Sequence, residues 1–229
     1  MDYRLVLFDI AGTTVSDPGF VAQAFVGAMG AAGHPIDAED CRRLMGYRKP
    51  EAIARLLGAA AEPDRIEAIH DDFVRRMLAC YRQGPGVEAL PGAESVFALL
   101  RAHGLKVALN TGFSRDIAQA IVDRLGWAGR IDALIASDEV PEGRPAPHMA
   151  QALLRRFGIA QARQLVKVGD TEVDIGEGRQ AGAGLVVATT TGACSRAELA
   201  AAAPDAIVDS LFELPALLGL DARVRGDAA

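Results

Sequence analysis

The chain has 229 residues, of which 50% are hydrophobic, 24% charged and 5% aromatic. This balance is typical of a globular protein and excludes disordered, collagen-like and fibrous classes. The formal net charge of −6 argues against nucleic acid or an anionic membrane as the main partner, because both attract basic surfaces.

Nothing in the sequence points to secretion or to a membrane. The apolar run at residues 5–8 is too short for a signal peptide and meets Asp9 at once. No uncharged stretch is apolar enough for a transmembrane helix. The three cysteines are widely spaced, which argues against a disulfide framework or a zinc site. We therefore expect a cytoplasmic protein.

The predicted elements, in chain order, indicate an α/β fold. Residues 4–9 form a short apolar run that ends in a carboxylate, which is typical of a buried strand. Helical periodicity then extends over residues 18–82 with no strand candidate. Strands and helices alternate afterwards. The predicted strands are 105–110, 132–136, 164–168, 184–188 and 206–208, and the predicted helices are 92–103, 114–125, 147–157 and 175–181.

Continuous apolar strands between helices indicate a parallel sheet covered on both faces. The sequence therefore predicts a Rossmann-like parallel sheet core with an inserted all-helical domain. We expect the core to comprise residues 1–16 and 86–229, and the helical insert residues 17–85.

Polar residues follow several predicted strands at the edge where ligands bind in open α/β sheets. Asp9 ends the first strand, Thr111 and Gly112 follow the second, and Asp170 follows a later one with Asp174 nearby. Converging carboxylates need a compensating cation, and hard oxygen ligands favour Mg²⁺. We expect Asp9 and Asp170 to hold the ion, with Asp174 in a supporting place.

Four short motifs occur in a fixed order along the chain. They are Asp9-x-Ala-Gly-Thr13, Thr111, Arg144, and Gly-Asp170-x-x-x-Asp174. In this order they resemble the motifs of the haloacid dehalogenase superfamily over essentially the whole chain. The resemblance implies that the helical insert, residues 17–85, is the cap of that superfamily.

Two departures from the superfamily pattern narrow the chemistry. Ala11 stands where phosphatases of the superfamily have a second aspartate that protonates a departing alkoxide, which alanine cannot do. A carbon leaving group needs no such proton if a lysine imine takes up its electrons. The chain has only three lysines, and one of them, Lys49, lies in the cap. The other departure is Arg144, where the usual residue is lysine.

Asp-x-Ala-Gly-Thr, Gly-Arg-Pro and Met-Gly-x-x-Lys together resemble the phosphonatase family, the phosphonoacetaldehyde hydrolases. The resemblance implies that Asp9 attacks phosphorus, that Lys49 forms a Schiff base, and that Arg144 and Thr111 bind phosphoryl oxygens. It also implies a small-molecule phosphonate or phosphate substrate and a homodimer formed through the cap. Finally, it implies one set of residues that binds the metal and another that binds the substrate. The metal set is Asp9, the carbonyl of Ala11, Asp170 and Asp174, and the substrate-binding set is Thr13, Met45 and Gly112.

Three positions depart from the phosphonatase family on the side that handles the aldehyde. The family's histidine is Ala52 here, its tyrosine after Thr-Gly is Phe113, and its cysteine is missing near Gly19. A substituted 2-oxoalkylphosphonate is therefore an alternative substrate. Two other functions stay open: a phosphomonoesterase of the phosphoglycolate phosphatase kind, and a non-catalytic protein that binds a phosphorylated ligand.

Two neighbours of the motifs carry subsidiary expectations. Arg48 precedes Lys49 and, by like-charge repulsion, would lower the pKa of the lysine. All four histidines are expected to be surface or helix-end residues rather than ligands. Only His148 follows Arg144 closely enough to line the site.

Overall fold

The computed structural model describes residues 2–220, except for the side chain of Gln83. These residues form one six-stranded parallel sheet in the order β3-β2-β1-β4-β5-β6. The strands are β1 (Leu5–Asp9), β2 (Lys106–Thr111), β3 (Ala133–Ala136), β4 (Leu165–Gly169), β5 (Leu185–Thr189) and β6 (Ala206–Val208). The predicted fold class is confirmed. Residues 221–229 of the predicted core lie outside the described residues.

Four α-helices follow β1 before the chain returns to the core. They are α1 (Phe20–Ala31), α2 (Ala38–Arg42), α3 (Lys49–Leu57) and α4 (Pro63–Gln83). The remaining helices are α5 (Ala93–Ala102), α6 (Arg115–Arg124), α7 (His148–Arg156), α8 (Glu172–Ala181), α9 (Arg196–Ala201) and α10 (Leu214–Leu217). The all-helical insertion is thus confirmed, while the boundaries at residues 16/17 and 85/86 stay a prediction.

The central strand β1 is buried on both faces, as its uninterrupted apolar sequence predicts. Leu5 and Leu7 belong to the hydrophobic cluster on the α7 side of the sheet. Val6 and Phe8 point to the opposite face, where Phe8 packs edge-on against Phe97 of α5 with ring centroids 5.3 Å apart. Helices on both faces therefore hold β1 in place and fix the position of the carboxylate at its end.

The cap shares a hydrophobic cluster with one face of the sheet. Within the cap, Phe25 of α1 packs against Phe73 of α4 at 4.6 Å between ring centroids. The loop between α2 and α3 lies directly on the core: a Cβ on Gly112 would come within 2.3 Å of the carbonyl oxygen of Tyr47. Only glycine allows this approach, so the cap is seated against the carboxyl end of β2.

Acidic residues at the N-terminal end explain where two helices begin, and one of them, α8, begins earlier than predicted. The side chain of Asp37 accepts hydrogen bonds from the backbone of Glu39 and Asp40, so α2 starts at Ala38. The helix α8 starts at Glu172 instead of residue 175. Its first turn contains Glu172 and Asp174, whose negative charges favour the positive end of the helix dipole.

None of the helices within residues 2–220 combines the length and the apolar composition needed to span a bilayer. The three cysteines are free; Cys41 is buried and the other two are half-buried.

Candidate active site

The carboxyl ends of three neighbouring strands bring the predicted core residues together. Because β2, β1 and β4 are adjacent, Asp9, Thr111 and Asp170 lie side by side, each at most 4% exposed. A cavity of about 400 Å³ opens above them, between the sheet and the cap. This is the place where open α/β sheets bind ligands, at the switch point between β1 and β4, where the strand order reverses.

Three buried carboxylates form the floor of the site. Asp9, Asp170 and Asp174 each offer an oxygen atom, and these atoms lie within 4.8 Å of one another. Burial and the charges of Asp9 and Asp174 raise the pKa of Asp170 to about 8. A divalent cation would offset both effects, and oxygen donors at this spacing suit Mg²⁺. The donor set therefore fits the ion that the sequence predicts.

The first motif supports Asp170 across the sheet. The hydroxyl of Thr13 donates a hydrogen bond to Oδ1 of Asp170 at 2.9 Å, and the backbone N–H of Ala193 donates to Oδ2 at 2.8 Å. Gly12 adopts a positive φ of 88°, and a Cβ there would lie 2.6 Å from Oδ2 of Asp170. Thr13 is fully buried and is not among the residues that line the cavity. Its predicted role in substrate binding is therefore corrected: it orients a carboxylate.

Arg144 places a buried positive charge next to Asp9. It is 1% exposed, its Nη1 lies 2.6 Å from Oδ1 of Asp9, and it also pairs with Asp174. Burial alone would lower the pKa of Arg144, but Asp174 and Asp9 outweigh burial and raise it. A permanently charged guanidinium beside Asp9 can bind two phosphoryl oxygens in its fork geometry.

Asp174 is held from several sides. Burial would raise the pKa of its carboxyl, yet Arg144 and Lys167 lower it to about 2. Nζ of Lys167 lies 2.8 Å from Oδ1, and the hydroxyl of Thr171 donates to Oδ2. With both oxygens already accepting, Asp174 fits the supporting place that the sequence predicts for it.

The buried network around Lys167 is absent from the sequence-based prediction. Lys167 is fully buried, donates to Oδ1 of Asn110 at 3.0 Å, and lies 3.4 Å from Oε2 of Glu177. Asn110 in turn donates to Glu177 at 2.7 Å. The available signal was a rare lysine inside the apolar strand β4, where a charged residue needs partners.

The cap contributes Lys49 to the same cavity. Lys49 is 3% exposed, and its Nζ lies 5.5 Å from the ring centroid of Phe25 and 5.0 Å from that of Phe113. Burial lowers the pKa of Lys49 to about 8, and the positive charge of Arg144 contributes. Arg48 is not among the main causes of this lowered pKa, and its guanidinium donates to the carbonyl of Pro141 at 3.2 Å. Its expected effect on Lys49 stays a prediction.

The remaining predicted residues divide between cavity and core. Ala11, Met45 and Gly112 line the cavity, as does Asp17, which the sequence did not single out. His148 begins α7, which agrees with the expected helix-end position, and it is not among the residues that line the cavity. The cis-proline segment after Arg144 leads away from the cavity into α7.

Known proteins are similar to this chain in sequence. The family model of the haloacid dehalogenase-like hydrolases matches residues 3–182. The phosphonoacetaldehyde hydrolase of Paraburkholderia xenovorans is 32% identical over 221 residues, which cover 88% of this chain and 82% of the relative. The phosphonoacetaldehyde hydrolase of Bordetella pertussis is 30% identical and covers 93% and 90% of the two chains.

The fold is also found in a solved structure, a phosphonoacetaldehyde hydrolase-like protein from Oleispira antarctica. Its TM-score is 0.84 at 22% identity, with 96% of this chain and 92% of that chain covered. The match of the family model, the curated relatives and the order of motifs around the cavity agree. The chain belongs to the haloacid dehalogenase-like hydrolases.

Proposed function

We propose that the protein hydrolyses the carbon–phosphorus bond of phosphonoacetaldehyde or a related 2-oxoalkylphosphonate. The observation that carries the proposal is a buried lysine, with its pKa lowered to about 8, in the same cavity as Asp9 and Arg144. Ala11 at the position of the superfamily's second aspartate supports it, because no side chain there can protonate an alkoxide. The relatives named phosphonoacetaldehyde hydrolase are consistent with it.

In the proposed reaction, the neutral amine of Lys49 attacks the aldehyde carbon, and loss of water gives a protonated imine. The carboxylate of Asp9 then attacks phosphorus. As the carbon–phosphorus bond breaks, its electron pair forms a carbon–carbon double bond and the imine pair moves to nitrogen, leaving a neutral enamine. Protonation of the enamine at carbon regenerates the imine. Water then releases the aldehyde and the amine, and a second water hydrolyses the aspartyl-phosphate to phosphate.

The residues of the floor position the phosphoryl group for this attack. Arg144 neutralises phosphoryl charge and holds Asp9 in place. Thr111 and Gly112 line the cavity at the end of β2, on the opposite side of β1 from Asp170. Asp9, Asp170 and the carbonyl of Ala11 would hold Mg²⁺, with Asp174 in support. When bound, the ion supplies charge neutralisation at the phosphoryl oxygens.

Phosphate release from phosphonoacetaldehyde, with borohydride trapping and peptide mapping, tests the proposal. The expected adduct lies on Lys49, which mapping resolves because only two other lysines exist. Lys49→Arg should abolish both cleavage and the adduct, since a guanidinium forms no imine. Lys106→Arg, at a half-exposed lysine of β2, is the matched control and should retain both. Turnover by Lys49→Arg would refute the imine route.

A phosphomonoesterase is the second candidate, favoured by one structural neighbour. The structure of a mutant of CbbY from Rhodobacter sphaeroides in complex with xylulose-(1,5)bisphosphate has a TM-score of 0.82 at 25% identity. A panel of phosphate esters, assayed beside phosphonoacetaldehyde, separates the two activities. Faster release from an ester than from the phosphonate would favour this second function.

We also propose the homodimer through the cap that the family resemblance implies. Light scattering on the purified chain tests it, and a monomeric mass at micromolar concentration would contradict it.

A further inference from the structure

We propose that Phe25 and Phe113 are positioning residues that hold the charged amine of Lys49, and the iminium ion formed from it, between their ring faces. We call this pair of rings the aromatic cradle. The part that concerns the iminium ion rests on the proposed function. The part that concerns the free amine does not.

The cradle is fixed by its surroundings. Both rings lie within the 6 Å over which an aromatic face attracts an ammonium group, with Nζ at 5.5 Å from Phe25 and 5.0 Å from Phe113. Phe25 is fully buried and packs against Phe73. Phe113 is 2% exposed and packs edge-on against Tyr81 at 6.1 Å. Neither ring is free to turn away from the amine.

The two rings belong to different parts of the fold. Phe25 lies in α1 of the cap, whereas Phe113 follows β2 of the sheet. Lys49 begins α3, so its amine lies at the junction. Within residues 2–220 the two rings contact Nζ, which makes no hydrogen bond and has no carboxylate oxygen within 4 Å. The cradle thus takes the place that a carboxylate usually occupies beside a buried lysine.

The chemistry of the ring faces suits a lysine that must be neutral at one step and charged at the next. A carboxylate beside the amine would favour the protonated state and so hold the proton. A ring face attracts the cation but accepts no proton, and its bulk excludes water. The amine can therefore lose its proton near neutral pH, while the iminium ion still meets a favourable surface. Other charged or titratable groups also shift the pKa of the amine: Arg144, Asp9, Asp17 and Cys41. The charge of Lys49 in turn lowers the pKa of His70.

Titration of the lysine amines by NMR tests the cradle without any substrate. Lysine labelled with ¹³C and ¹⁵N gives three side-chain signals, from Lys49, Lys106 and Lys167. Phe113→Leu and Phe25→Leu keep an apolar neighbour but remove the ring. Each should lower the pKa of Lys49, by about one unit for a desolvated contact. Phe113→Tyr keeps a ring and should retain the wild-type value.

The chain offers a matched control for these variants. Nζ of Lys106 lies 5.8 Å from the ring of Phe157, but its side chain is 49% exposed. Phe157→Leu should leave the Lys106 titration unchanged, because water already solvates that charge. If both Leu variants at the cradle leave the pKa of Lys49 unchanged or raise it, the rings only exclude water and the proposal is overturned.

Trapping with acetaldehyde and cyanoborohydride gives a second signature. At pH 6.5 the free amine and the iminium ion of Lys49 are both cations, so loss of a ring should affect them equally and leave the adduct yield unchanged. At pH 9 the free amine is neutral, so Phe113→Leu should reduce the yield about tenfold. Equal losses at both pH values would indicate general damage to the site and would overturn the proposal.

Failure of the cradle and failure of the proposed function give different results. If the wild-type protein forms no Lys49 adduct with phosphonoacetaldehyde, the proposed function fails, while the titration still decides the cradle. The NMR spectrum of the wild-type protein tests the cradle even if no Leu variant folds. The ε-methylene protons of Lys49 should be shifted upfield relative to those of Lys106 by the two ring currents, and their absence from the upfield region would overturn the proposal.

Discussion

Lys167→Met should destabilise the protein far more than the same substitution at another lysine. Lys167 is fully buried and contacts Asp174 at 2.8 Å, Asn110 at 3.0 Å and Glu177 at 3.4 Å, and both carboxylates are at most 1% exposed. Methionine has a similar length but leaves Glu177 without the cation that contacts it, and Asp174 with Arg144 as its one remaining ion-pair partner among the described residues. Breaking a buried ion pair on one side typically costs about 3–5 kcal/mol.

Thermal unfolding measures the effect. For a chain of this size, 1 kcal/mol corresponds to roughly 2–4 °C, so Lys167→Met should lower Tm by about 6–20 °C. Lys106→Met is the control, because Lys106 makes a 3.0 Å pair with Asp132 while 49% exposed. A half-exposed pair contributes about 0–1 kcal/mol, so its Tm should change by only a few degrees. Equal changes in the two variants would refute the view that Lys167 balances buried charge.

Two further predictions concern the cap. The pKa of Lys49 is lowered to about 8, so the neutral amine becomes the major form as pH rises through 8. The rate of imine formation should increase over that range, and a midpoint near the usual 10.5 of lysine would contradict the burial argument. Arg42 joins the cap to α9 through a 2.8 Å ion pair with Glu198. Arg42→Ala should raise KM for phosphate release about two- to fivefold with little change in Tm, as expected for a half-exposed pair. Arg55→Ala, whose partner Glu51 lies in the same helix, should leave KM unchanged. Equal effects of the two substitutions on KM would show that the Arg42–Glu198 pair does not hold the cap on the core.

The floor of the site was predictable because parallel strands place their carboxyl ends at one edge. Asp9, Thr111 and Asp170 each end or follow a strand, so a correct sheet order brings them together without knowledge of side-chain packing. The order of the motifs along the chain likewise predicted that Arg144 lies at this edge of the sheet. Backbone topology is sufficient for these residues.

The surroundings of the two buried lysines needed tertiary packing. The sequence indicated that Lys49 is chemically special, but its burial between Phe25 and Phe113 depends on how the cap lies on the sheet. Lys167 stood out only as a rare residue. Glu177 has the sequence character of a surface helix residue, and only the packing of α8 on β4 makes it a buried partner.

His148 and Thr13 show that closeness to a motif residue along the chain does not by itself place a side chain in the cavity. His148 lies four residues after Arg144, but α7 begins there and carries it away. Thr13 lies four residues after Asp9, but its hydroxyl turns toward Asp170 beneath the cavity. Turn geometry after a strand decides such cases, and sequence spacing does not encode it.

The charges buried at the site predict that metal and substrate bind cooperatively. With all groups ionised, four carboxylates face three cations, which leaves one negative charge among the buried described residues: Asp9, Asp170, Asp174 and Glu177 against Lys49, Arg144 and Lys167. A dianionic phosphonate bound alone would make the interior more negative, and a divalent ion bound alone would make it positive. Binding of both leaves the charge unchanged, so each should favour the other.

Calorimetric titration of Mg²⁺ with and without inorganic phosphate measures this coupling. Phosphate should tighten Mg²⁺ binding by about 5- to 150-fold, the usual range for coupled sites, and Mg²⁺ should tighten phosphate binding by the same factor. Asp170→Asn is the matched variant: it removes one carboxylate from the metal set while keeping the size of the side chain, and it should weaken Mg²⁺ binding in both titrations. Equal Mg²⁺ affinity of the wild-type protein with and without phosphate would show that the buried charges do not act as one set. Arg144 would then be sufficient to neutralise the phosphoryl group without the ion.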